Sequence, residues 1–215
     1  MDKFKSNLKL IVQIFFVIIF FSTAHAKKDE NFEDGKYISN YFSGILLLND
    51  NYYNQSNKFF KQLNGLEESH ITYSSKYIYS LINSQKFNEA FYYAKKLEKK
   101  KLTNFESDLI LGVYYLKNKN YDLAQKYFLK LKNRKSNIII NNFISNSLLN
   151  WSSFNNLDFN SSQNKIKSID KKFENLKKIQ NVFLHCFYKS EKTEFFFKEL
   201  NSNEKIDFSR YNYFY

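Results

Sequence analysis

The sequence predicts an all-α protein, an α-solenoid of antiparallel helix hairpins behind an N-terminal signal peptide. Three observations predict this fold class. Apolar residues recur at spacings of three and four, which places them on one face of a helix. The pattern repeats every 34 residues, as it does when copies of one helical unit stack on each other. The chain of 215 residues contains no proline, so the strongest helix breaker is missing.

Residues 1–26 have the three-part layout of a secretory signal peptide. Three lysines precede an apolar run of 12 residues from Leu10 to Phe21, interrupted by Gln13. A helix needs about 20 apolar residues to cross a bilayer, so we favour a cleaved signal over the alternative, an uncleaved signal anchor. Ala24 and Ala26 supply the small side chains that a signal peptidase requires. We therefore predict cleavage after Ala26 and a periplasmic or secreted protein.

After the cleavage point, residues 27–36 form a polar spacer and residues 37–138 form three repeats, at 37–70, 71–104 and 105–138. Each copy is predicted to contain two helices joined by a polar turn, and the turns fall at Asp50-Asn51, Ser84-Gln85-Lys86 and Asn118-Lys119-Asn120. The columns that align at 34-residue steps are Tyr53, Phe87 and Tyr121; Ser56, Ala90 and Ala124; Leu63, Leu97 and Leu131; Gly44, Ile78 and Gly112; and Leu47, Leu81 and Tyr115. Small residues in these columns let paired helices approach each other closely.

Residues 139–215 keep a helical pattern but lose the strict period, which predicts degenerate helical repeats. A turn at Asn155-Asn156 separates two apolar stretches of a fourth hairpin. A stripe from Phe173 to Phe187 and a second one around Phe195 and Leu200 predict a fifth. The chain then ends on aromatic residues rather than on the polar capping helix that a solenoid needs. Two interpretations stay open: truncation of a longer protein at the C-terminus, or aromatic residues that dock onto something.

The third copy resembles the tetratricopeptide repeat (TPR) family, here of an exported bacterial type. The matching residues are Leu111-Gly112-x-x-Tyr115, then Tyr121, then Ala124-x-x-x-Phe128. The sequence departs from the family pattern at Asp108, where the family often has tryptophan, and by lacking the closing proline. The resemblance covers residues 37–138 and implies a TPR-like superhelix whose first helices line a concave, peptide-binding groove.

The resemblance also implies which residues face that groove, namely the fifth, ninth and thirteenth of each copy. These are Tyr41, Ile45 and Asn49; Ser75, Tyr79 and Asn83; and Leu109, Val113 and Lys117. This aromatic, aliphatic and amide lining suits an extended or helical peptide held by apolar contacts and asparagine hydrogen bonds. Two alternatives stay open, an accessible groove and one partly covered by the C-terminal helices.

The sequence predicts neither catalysis nor a bound cofactor or metal. A catalytic site needs a nucleophile, a base and an orienting group that converge. His185 and Cys186 are adjacent, and neighbours on a helix point in different directions. We therefore interpret them as a buried thiol beside a packed imidazole. His25 is expected to leave with the signal peptide.

Two further kinds of site are not expected. Glu67, Glu68 and His70 lack the spacing that places two metal ligands on one helix face, so we interpret them as a solvated loop. The four glycines are too far apart to form a phosphate-binding loop.

The net charge of +12 and the pI near 9.4 raise the question of an anionic partner. Nearly all positive residues are lysines, and arginine occurs only at Arg134 and Arg210. The guanidinium groups that recognise phosphates and bases are therefore scarce, and no nucleic acid partner is expected. The densest lysine run, residues 95–101, is interpreted as the solvated end of a helix.

These observations favour an exported scaffold or adaptor that binds protein or peptide partners in an envelope complex, without catalysis of its own. One alternative is a basic solenoid surface that binds an anionic polymer or the membrane face. Another is the N-terminal part of a larger protein whose activity lies beyond residue 215. Membrane contact is expected only peripherally or through an uncleaved signal.

Overall fold

A computed structural model of the chain describes residues 30–134 and 138–202. Within these ranges the chain forms α-helices and short 3₁₀ turns and contains no strand, which confirms the predicted all-α class of antiparallel helix hairpins. The helices are α1 Glu30–Asn49, α2 Tyr53–Lys61, α3 Ile71–Asn83, α4 Phe87–Lys99, α5 Phe105–Lys117, α6 Tyr121–Asn133, α7 Ile139–Ser153, α8 Phe159–Lys167, α9 Glu174–Phe187 and α10 Thr193–Asn201.

The predicted signal peptide, with Ala24, His25 and Ala26, lies outside the described residues. The aromatic C-terminal residues 211–215 and Arg210 lie outside them as well. Among the helices that are described, none has both the length and the apolar character needed to span a membrane. The described chain forms two compact units, one ending at Asn64 and the other beginning at Gly65.

The first unit is the hairpin of α1 and α2. Its helices meet where Gly44 faces the ring of the buried Phe60. A Cβ atom at position 44 would lie 2.6 Å from Cε1 of that ring, so glycine is required for this close approach. The Ser56 hydroxyl donates a hydrogen bond to the Gly44 carbonyl at 2.8 Å, which satisfies a buried polar group at the crossing.

The second unit contains α3 to α10, and helices that are adjacent in sequence pack against each other throughout it. Four hairpins result, α3–α4, α5–α6, α7–α8 and α9–α10. Helix α3 also contacts α5, so the first helices of the second and third copies lie side by side. The first helices of the second and third copies, which were predicted to line the groove, therefore lie together in this unit.

The polar turns predicted at 50–51, 84–86 and 118–120 are confirmed, and they share one backbone conformation with the turn after α9. The turn predicted at Asn155-Asn156 is part of a 3₁₀ turn, Phe154–Asn156. Positive φ angles between 50° and 64° occur two residues after the end of α1, α3, α5 and α9, at Asn51, Gln85, Lys119 and Lys189. In each turn the next backbone amide donates to the carbonyl five residues earlier, as Lys86 does to Leu81 at 2.9 Å. This pattern is a Schellman motif, which satisfies carbonyl groups at the end of a helix.

The aligned columns of small and leucine residues form the core. Ser56, Ala90 and Ala124 are fully buried, as are Leu63 and Leu97, and Leu131 is nearly so. The aromatic column behaves differently, because Phe87 begins α4 with most of its side chain exposed. The small residues and leucines of the aligned columns are therefore core residues, whereas Phe87 in the aromatic column lies at the surface.

The interpretation of Glu67, Glu68 and His70 as a solvated loop is wrong for Glu67. Residues Leu66–Glu68 form a 3₁₀ turn, and the Glu67 side chain is completely buried. Its Oε1 atom lies 2.6 Å from Nζ of Lys96 and 2.9 Å from Nζ of Lys100. A buried carboxylate needs such partners, and they come from the lysine run that the sequence suggested was merely solvated.

This ion-pair cluster predicts a stability change at acid pH. Burial alone raises the pKa of Glu67, but hydrogen bonds from Lys96, Lys100 and the backbone outweigh it and hold the pKa at about 2. Because the folded pKa is below the ordinary value of 4.5, the carboxylate stabilises the fold above pH 4.5 and loses that effect as the pH falls towards 2. The full effect is about 3 kcal/mol.

We therefore expect Glu67→Gln to lower the free energy of unfolding by about 3 kcal/mol at pH 7 and to flatten its decline below pH 4.5. Urea denaturation across this pH range measures both quantities. The matched control is Glu68→Gln, because Glu68 binds the same Lys100 but is largely exposed and should change stability by less than about 1 kcal/mol. Equal losses in the two variants would refute the role of burial.

Candidate functional site

On α3, the predicted groove residues divide into one structural residue and two exposed ones. Ser75 is half-buried, donates to Oε2 of Glu106 at 2.8 Å and accepts from the Asn104 side chain at 3.1 Å. It therefore links α3 to the beginning of α5. Tyr79 is 52% exposed. The exposed Asn83 amide donates to the Tyr79 carbonyl at 2.8 Å, which caps the end of α3.

On α5, the predicted residues become more exposed along the helix. Leu109 is half-buried against the cluster of Ala124, Phe128 and Leu131. Val113 is 41% exposed and Lys117 is exposed. These three residues are four apart, so they form one stripe along the helix. Ligand access is therefore best at its C-terminal half.

Val113 and Lys117 line an open cavity of about 370 Å³ between the end of α3, the start of α4 and α5. Its other walls are Ile82, Phe87, Ile110 and Tyr114, with the polar residues Asn88 and Asn118 beside them. We call this the apolar cavity. A volume of this size lies in the range of ligand-binding clefts, and its lining suits one or two apolar side chains of a partner.

Packing inside the second unit fixes the wall of this cavity. The Tyr114 ring stacks on Phe91 of α4 with centroids 3.7 Å apart and planes 20° apart. Ile110 and Phe91 both pack against the buried cluster of Ala94, Leu111 and Tyr127. Because these residues are held from behind, the cavity is largely formed before a partner arrives, which reduces the ordering cost of binding.

Six lining residues were absent from the predicted set, namely the polar Asn88 and Asn118 and the apolar Ile82, Phe87, Ile110 and Tyr114. On α5, Ile110 directly follows the predicted Leu109, and Tyr114 directly follows the predicted Val113. Phe87 was visible in the sequence, because it belongs to an aligned aromatic column, but the alignment did not distinguish exposed from buried members. Tyr79 and Asn83 lie on α3 outside this cavity.

In the first unit, the predicted residues are only partly accessible. Tyr41 and Ile45 are half-buried and Asn49 is exposed. The Tyr41 ring lies 6.3 Å from that of Phe60, so Tyr41 contributes to the packing of the hairpin. The exposed apolar stripe of α1 consists instead of Ile38, Phe42 and Leu46.

The interpretation of His185 and Cys186 is half wrong. His185 is buried between the rings of Phe159, at 4.8 Å, and Phe196, at 4.3 Å. Cys186 is exposed rather than buried. Adjacent residues on a helix differ by about 100° in direction, so only one of them faces the core. In the described ranges, no three or more His, Cys, Asp or Glu residues are grouped so as to hold a metal ion.

His185 predicts a pH dependence in the near-neutral range. Burial lowers the pKa of His185, and the positive charge of Lys192 lowers it further. Neither ring nitrogen has a hydrogen-bond partner within the described residues. Because the folded state binds the proton less well than the unfolded state, stability is complete above the unfolded pKa of about 6.5 and falls at lower pH.

We expect the free energy of unfolding to decline below pH 6.5 by at most about 1.4 kcal/mol per pH unit from this group. His185→Phe should remove that part of the decline and leave stability at pH 7 equal or higher, because it replaces an unpaired polar ring by an apolar one. Denaturant titrations between pH 5 and 7.5 measure this. His70→Gln, at the half-buried position before α3, is the control, and loss of the decline there instead would contradict the assignment.

Most of the lysine run is engaged in ion pairs. Besides the contacts of Lys96 and Lys100 with Glu67, Lys95 lies 2.6 Å from Glu98. Glu98 also accepts a hydrogen bond from Tyr127 at 2.8 Å. Burial alone raises the pKa of Glu98, but the contacts with Lys95 and Tyr127 hold it at about 2. The charge available to an anionic polymer at this surface is correspondingly reduced.

Comparisons with known proteins bear on the fold. No family model and no curated protein matches this sequence. Among solved structures, MamA AMB-1 is 15% identical to this chain, and the match covers 80% of this chain and 93% of the MamA chain with a TM-score of 0.55. MamA MSR-1 is also 15% identical, and the match covers 77% of this chain and 94% of the MamA chain with a TM-score of 0.54. At this identity the likeness concerns the fold, and it supports the TPR-like arrangement of helix pairs.

Proposed function

We propose that this chain is a scaffold or adaptor that binds a protein or peptide partner on the face formed by α3 and α5 and has no catalysis of its own. The observation that carries the proposal is the apolar cavity, which is open, preformed and lined by exposed Val113 and Phe87. Exposed apolar side chains around a concave site are typical of protein interaction surfaces.

The preferred partner is a segment that inserts one or two apolar side chains into this cavity. Lys117 lies at the rim beside Asn118, so an acidic or carbonyl group next to the inserted side chain would find a hydrogen-bond donor there. Such capture depends mainly on buried apolar area, and its affinity is therefore expected to change little with salt.

A photo-crosslinking experiment tests this proposal. Benzoylphenylalanine at position 113 is expected to crosslink one defined partner in cells that produce the protein. The same probe at Leu129 is the control, because Leu129 is 45% exposed, close to the 41% of Val113, but lies on α6 outside the cavity. Equal crosslinking from both positions, or none from position 113, would reject the site.

Substitution of the same residues supplies a second measure. In affinity purification without a photo-probe, Val113→Asp should abolish recovery of the partner that crosslinking identified, whereas Leu129→Asp should preserve it. Tyr79→Ala tests whether the site extends along α3, with Tyr92→Ala as its control, because Tyr79 and Tyr92 are 52% and 70% exposed. Recovery should persist at high salt. Salt-sensitive recovery of lipid or polysaccharide that ignores Val113→Asp would instead favour the basic-surface alternative.

We further propose that the chain is exported and acts in an envelope complex. The support is the N-terminal sequence, with its basic start, its apolar run of 12 residues and its small residues at Ala24 and Ala26. N-terminal sequencing of the natural protein is expected to begin at Lys27. A product that retains Met1 in the membrane fraction would support the uncleaved signal anchor.

A further inference from the structure

The hairpin of α9 and α10 holds a buried histidine that the proposed function does not use. His185 on α9 is 4% exposed. Its ring lies between those of Phe159 on α8 and Phe196 on α10, with centroid distances of 4.8 Å and 4.3 Å. In the described part of the chain, neither ring nitrogen has a hydrogen-bond partner. The site therefore accepts a neutral imidazole and offers nothing that would compensate for a charged one.

The ionisable groups around His185 do not favour its protonation. Helix α7, which contacts α9, contains no ionisable side chain. The ionisable side chains on the other elements packed against α9, on α9 itself and in its connection to α10 are Asp158, Lys165, Lys167, Asp170, Lys171, Lys172, Glu174, Lys177, Lys178, Cys186, Tyr188, Lys189, Glu191, Lys192, Glu194, Lys198 and Glu199. Burial lowers the pKa of His185, and of these groups Lys192 acts on the ring and lowers the pKa further.

The end of α9 is anchored to the preceding hairpin by hydrogen bonds. The Tyr188 hydroxyl lies 3.0 Å from the Phe154 carbonyl oxygen and 2.7 Å from that of Leu157. It also lies 2.7 Å from the Ser162 hydroxyl on α8. The Tyr188 ring packs edge-on against Phe159, with centroids 5.6 Å apart. The α8 side of the histidine site is therefore held in place.

Helix α10 is held on α9 by apolar contacts. Its nine residues contribute Phe197 and Leu200 to a buried cluster with Ile179 and Val182 of α9. Phe196, the ring nearest to the histidine, is half-buried and packs against the same cluster. A short helix that relies on few buried apolar contacts opens at a lower free-energy cost than the core of the unit. The α10 side of the histidine site is therefore the side that can give way.

A proton on His185 would act on the beginning of α10. Lys192 is the N-cap residue of this helix and Phe196 follows four residues later. The N-terminus of a helix carries a partial positive charge, so it and Lys192 both repel an imidazolium. Glu194, in the same turn, is paired with Lys198 at 2.6 Å. The attraction between a cation and a phenylalanine ring is smaller than the cost of burying an unpaired charge, so protonation favours a state in which the imidazole reaches water.

We propose that His185 is a pH-sensitive switch, whose protonation in mildly acidic solution releases α10 from α9. Release exposes the apolar cluster that the two helices share, and a return to neutral pH covers it again. The inference goes beyond the proposed function, because α3 and α5 take no part in it. It also gives a location to the pH dependence predicted above: the same proton opens the α9–α10 hairpin while the rest of the unit stays folded.

Hydrogen exchange with mass spectrometry on the purified full-length chain tests this proposal. Between pH 7.5 and 5.5 we expect the protection factors of the α10 amides, corrected for intrinsic exchange rates, to fall about tenfold, because an imidazole in water has a pKa of about 6.5. The amides of α6 should change little. In His185→Phe, α10 should keep its protection at both pH values, whereas His70→Gln should respond like the unsubstituted chain.

Two lysine variants test the electrostatic part of the switch. Lys192→Gln should reduce the loss of α10 protection at pH 5.5, because it removes a charge that opposes the proton in the closed state. Lys189→Gln is the matched control, since Lys189 is an exposed lysine of the same connection but does not act on the His185 ring. Equal responses of the two variants would reject the role of Lys192.

A fluorescence measurement follows the movement of α10 itself. Asn181 on α9 and Glu199 on α10 line one small cavity between the two helices. A bimane dye attached at Glu199→Cys, in a chain that also carries Cys186→Ser, is expected to be quenched by contact with the tryptophan of Asn181→Trp. Lowering the pH from 7.5 to 5.5 should relieve this quenching, and adding His185→Phe should preserve it. The labelled chain without Asn181→Trp controls for effects of pH on the dye.

Three results would overturn the proposal. Unchanged protection of α10 down to pH 5, with the dye still quenched, would show that the helix is not released. A loss of protection of equal size in α6, or in His185→Phe, would assign the effect to global unfolding or to another ionisable group. Loss of protection in α8 with α10 unchanged would place the opening on the Phe159 side of the ring.

Discussion

Arg134→Met is expected to lower the free energy of unfolding by about 3 to 5 kcal/mol, because it leaves the buried carboxylate of Asp108 without its positively charged partner. Asp108 on α5 is completely buried. Its Oδ2 atom accepts hydrogen bonds from Nε and Nη2 of Arg134 at 2.9 Å and 2.5 Å. Nη2 also donates to the carbonyl and hydroxyl oxygens of Thr103, both at 2.9 Å. One guanidinium group thus connects α6 to the beginning of α5.

Removing one member of the Asp108–Arg134 ion pair should cost more free energy of unfolding than replacing both members by apolar residues. The Asp108 Oδ1 atom has no hydrogen-bond partner in the described part of the chain, so the carboxylate depends on the guanidinium group. Removing both charges, in Asp108→Leu combined with Arg134→Met, should recover most of the loss. Arg134→Lys should be intermediate, because an ammonium group keeps the charge but cannot reproduce the fork.

Urea denaturation of the four proteins measures these free energies at pH 7. The double variant decides the cause. If it is as unstable as Arg134→Met, the loss comes from packing of the arginine stem and not from an unpaired carboxylate. If Arg134→Met costs less than about 1 kcal/mol, the pair behaves as a surface ion pair.

Asp108 and Arg134 also show where prediction from sequence ends. The 34-residue period predicted the hairpins and turns, because close packing imposes small residues at fixed positions such as Ala124. The resemblance to tetratricopeptide repeats marked Asp108 only as a departure from the usual tryptophan. Nothing in the local pattern indicated that Arg134, one of two arginines in the sequence, would meet it 26 residues later.

The candidate site was predictable to a similar degree. The resemblance to tetratricopeptide repeats implied Val113 and Lys117 as groove residues, and both line the apolar cavity. Ile110 and Tyr114 were missed, because which neighbouring residue faces a cavity depends on how α4 packs against α5. The stacking of Tyr114 on Phe91 sets that geometry, and it involves positions in different copies.

The second large effect concerns an exchange of small and large residues between copies. In the third copy, Gly112 faces Phe128, and a Cβ atom at position 112 would overlap the Phe128 ring. Gly44 and Phe60 repeat this arrangement in the first copy. The second copy has Ile78 and Ala94 at the equivalent positions, both buried. Its large residue is therefore on the first helix and its small residue on the second.

This exchange predicts strong coupling between positions 112 and 128. Phe128→Ala is expected to cost about 3 to 5 kcal/mol, because it leaves a cavity in the core. Gly112→Ile should also destabilise by several kcal/mol, because its side chain overlaps the ring. The double variant reproduces the residue pair of the second copy, so the new isoleucine can occupy the space that the phenylalanine vacates.

A double-mutant cycle by urea denaturation measures the coupling. We expect the double variant to be more stable than the sum of the single losses predicts, by about 2 to 3 kcal/mol, the upper part of the range for residues in contact. Gly112→Ile combined with Leu131→Ala is the control, because Leu131 is a buried residue of the same α6 cluster but is not the residue that faces Gly112. Additive losses in the Phe128 cycle would show that the helices cannot exchange large and small residues. The 34-residue period would then mark positions that are equally buried in each copy but whose side chains cannot be exchanged between copies.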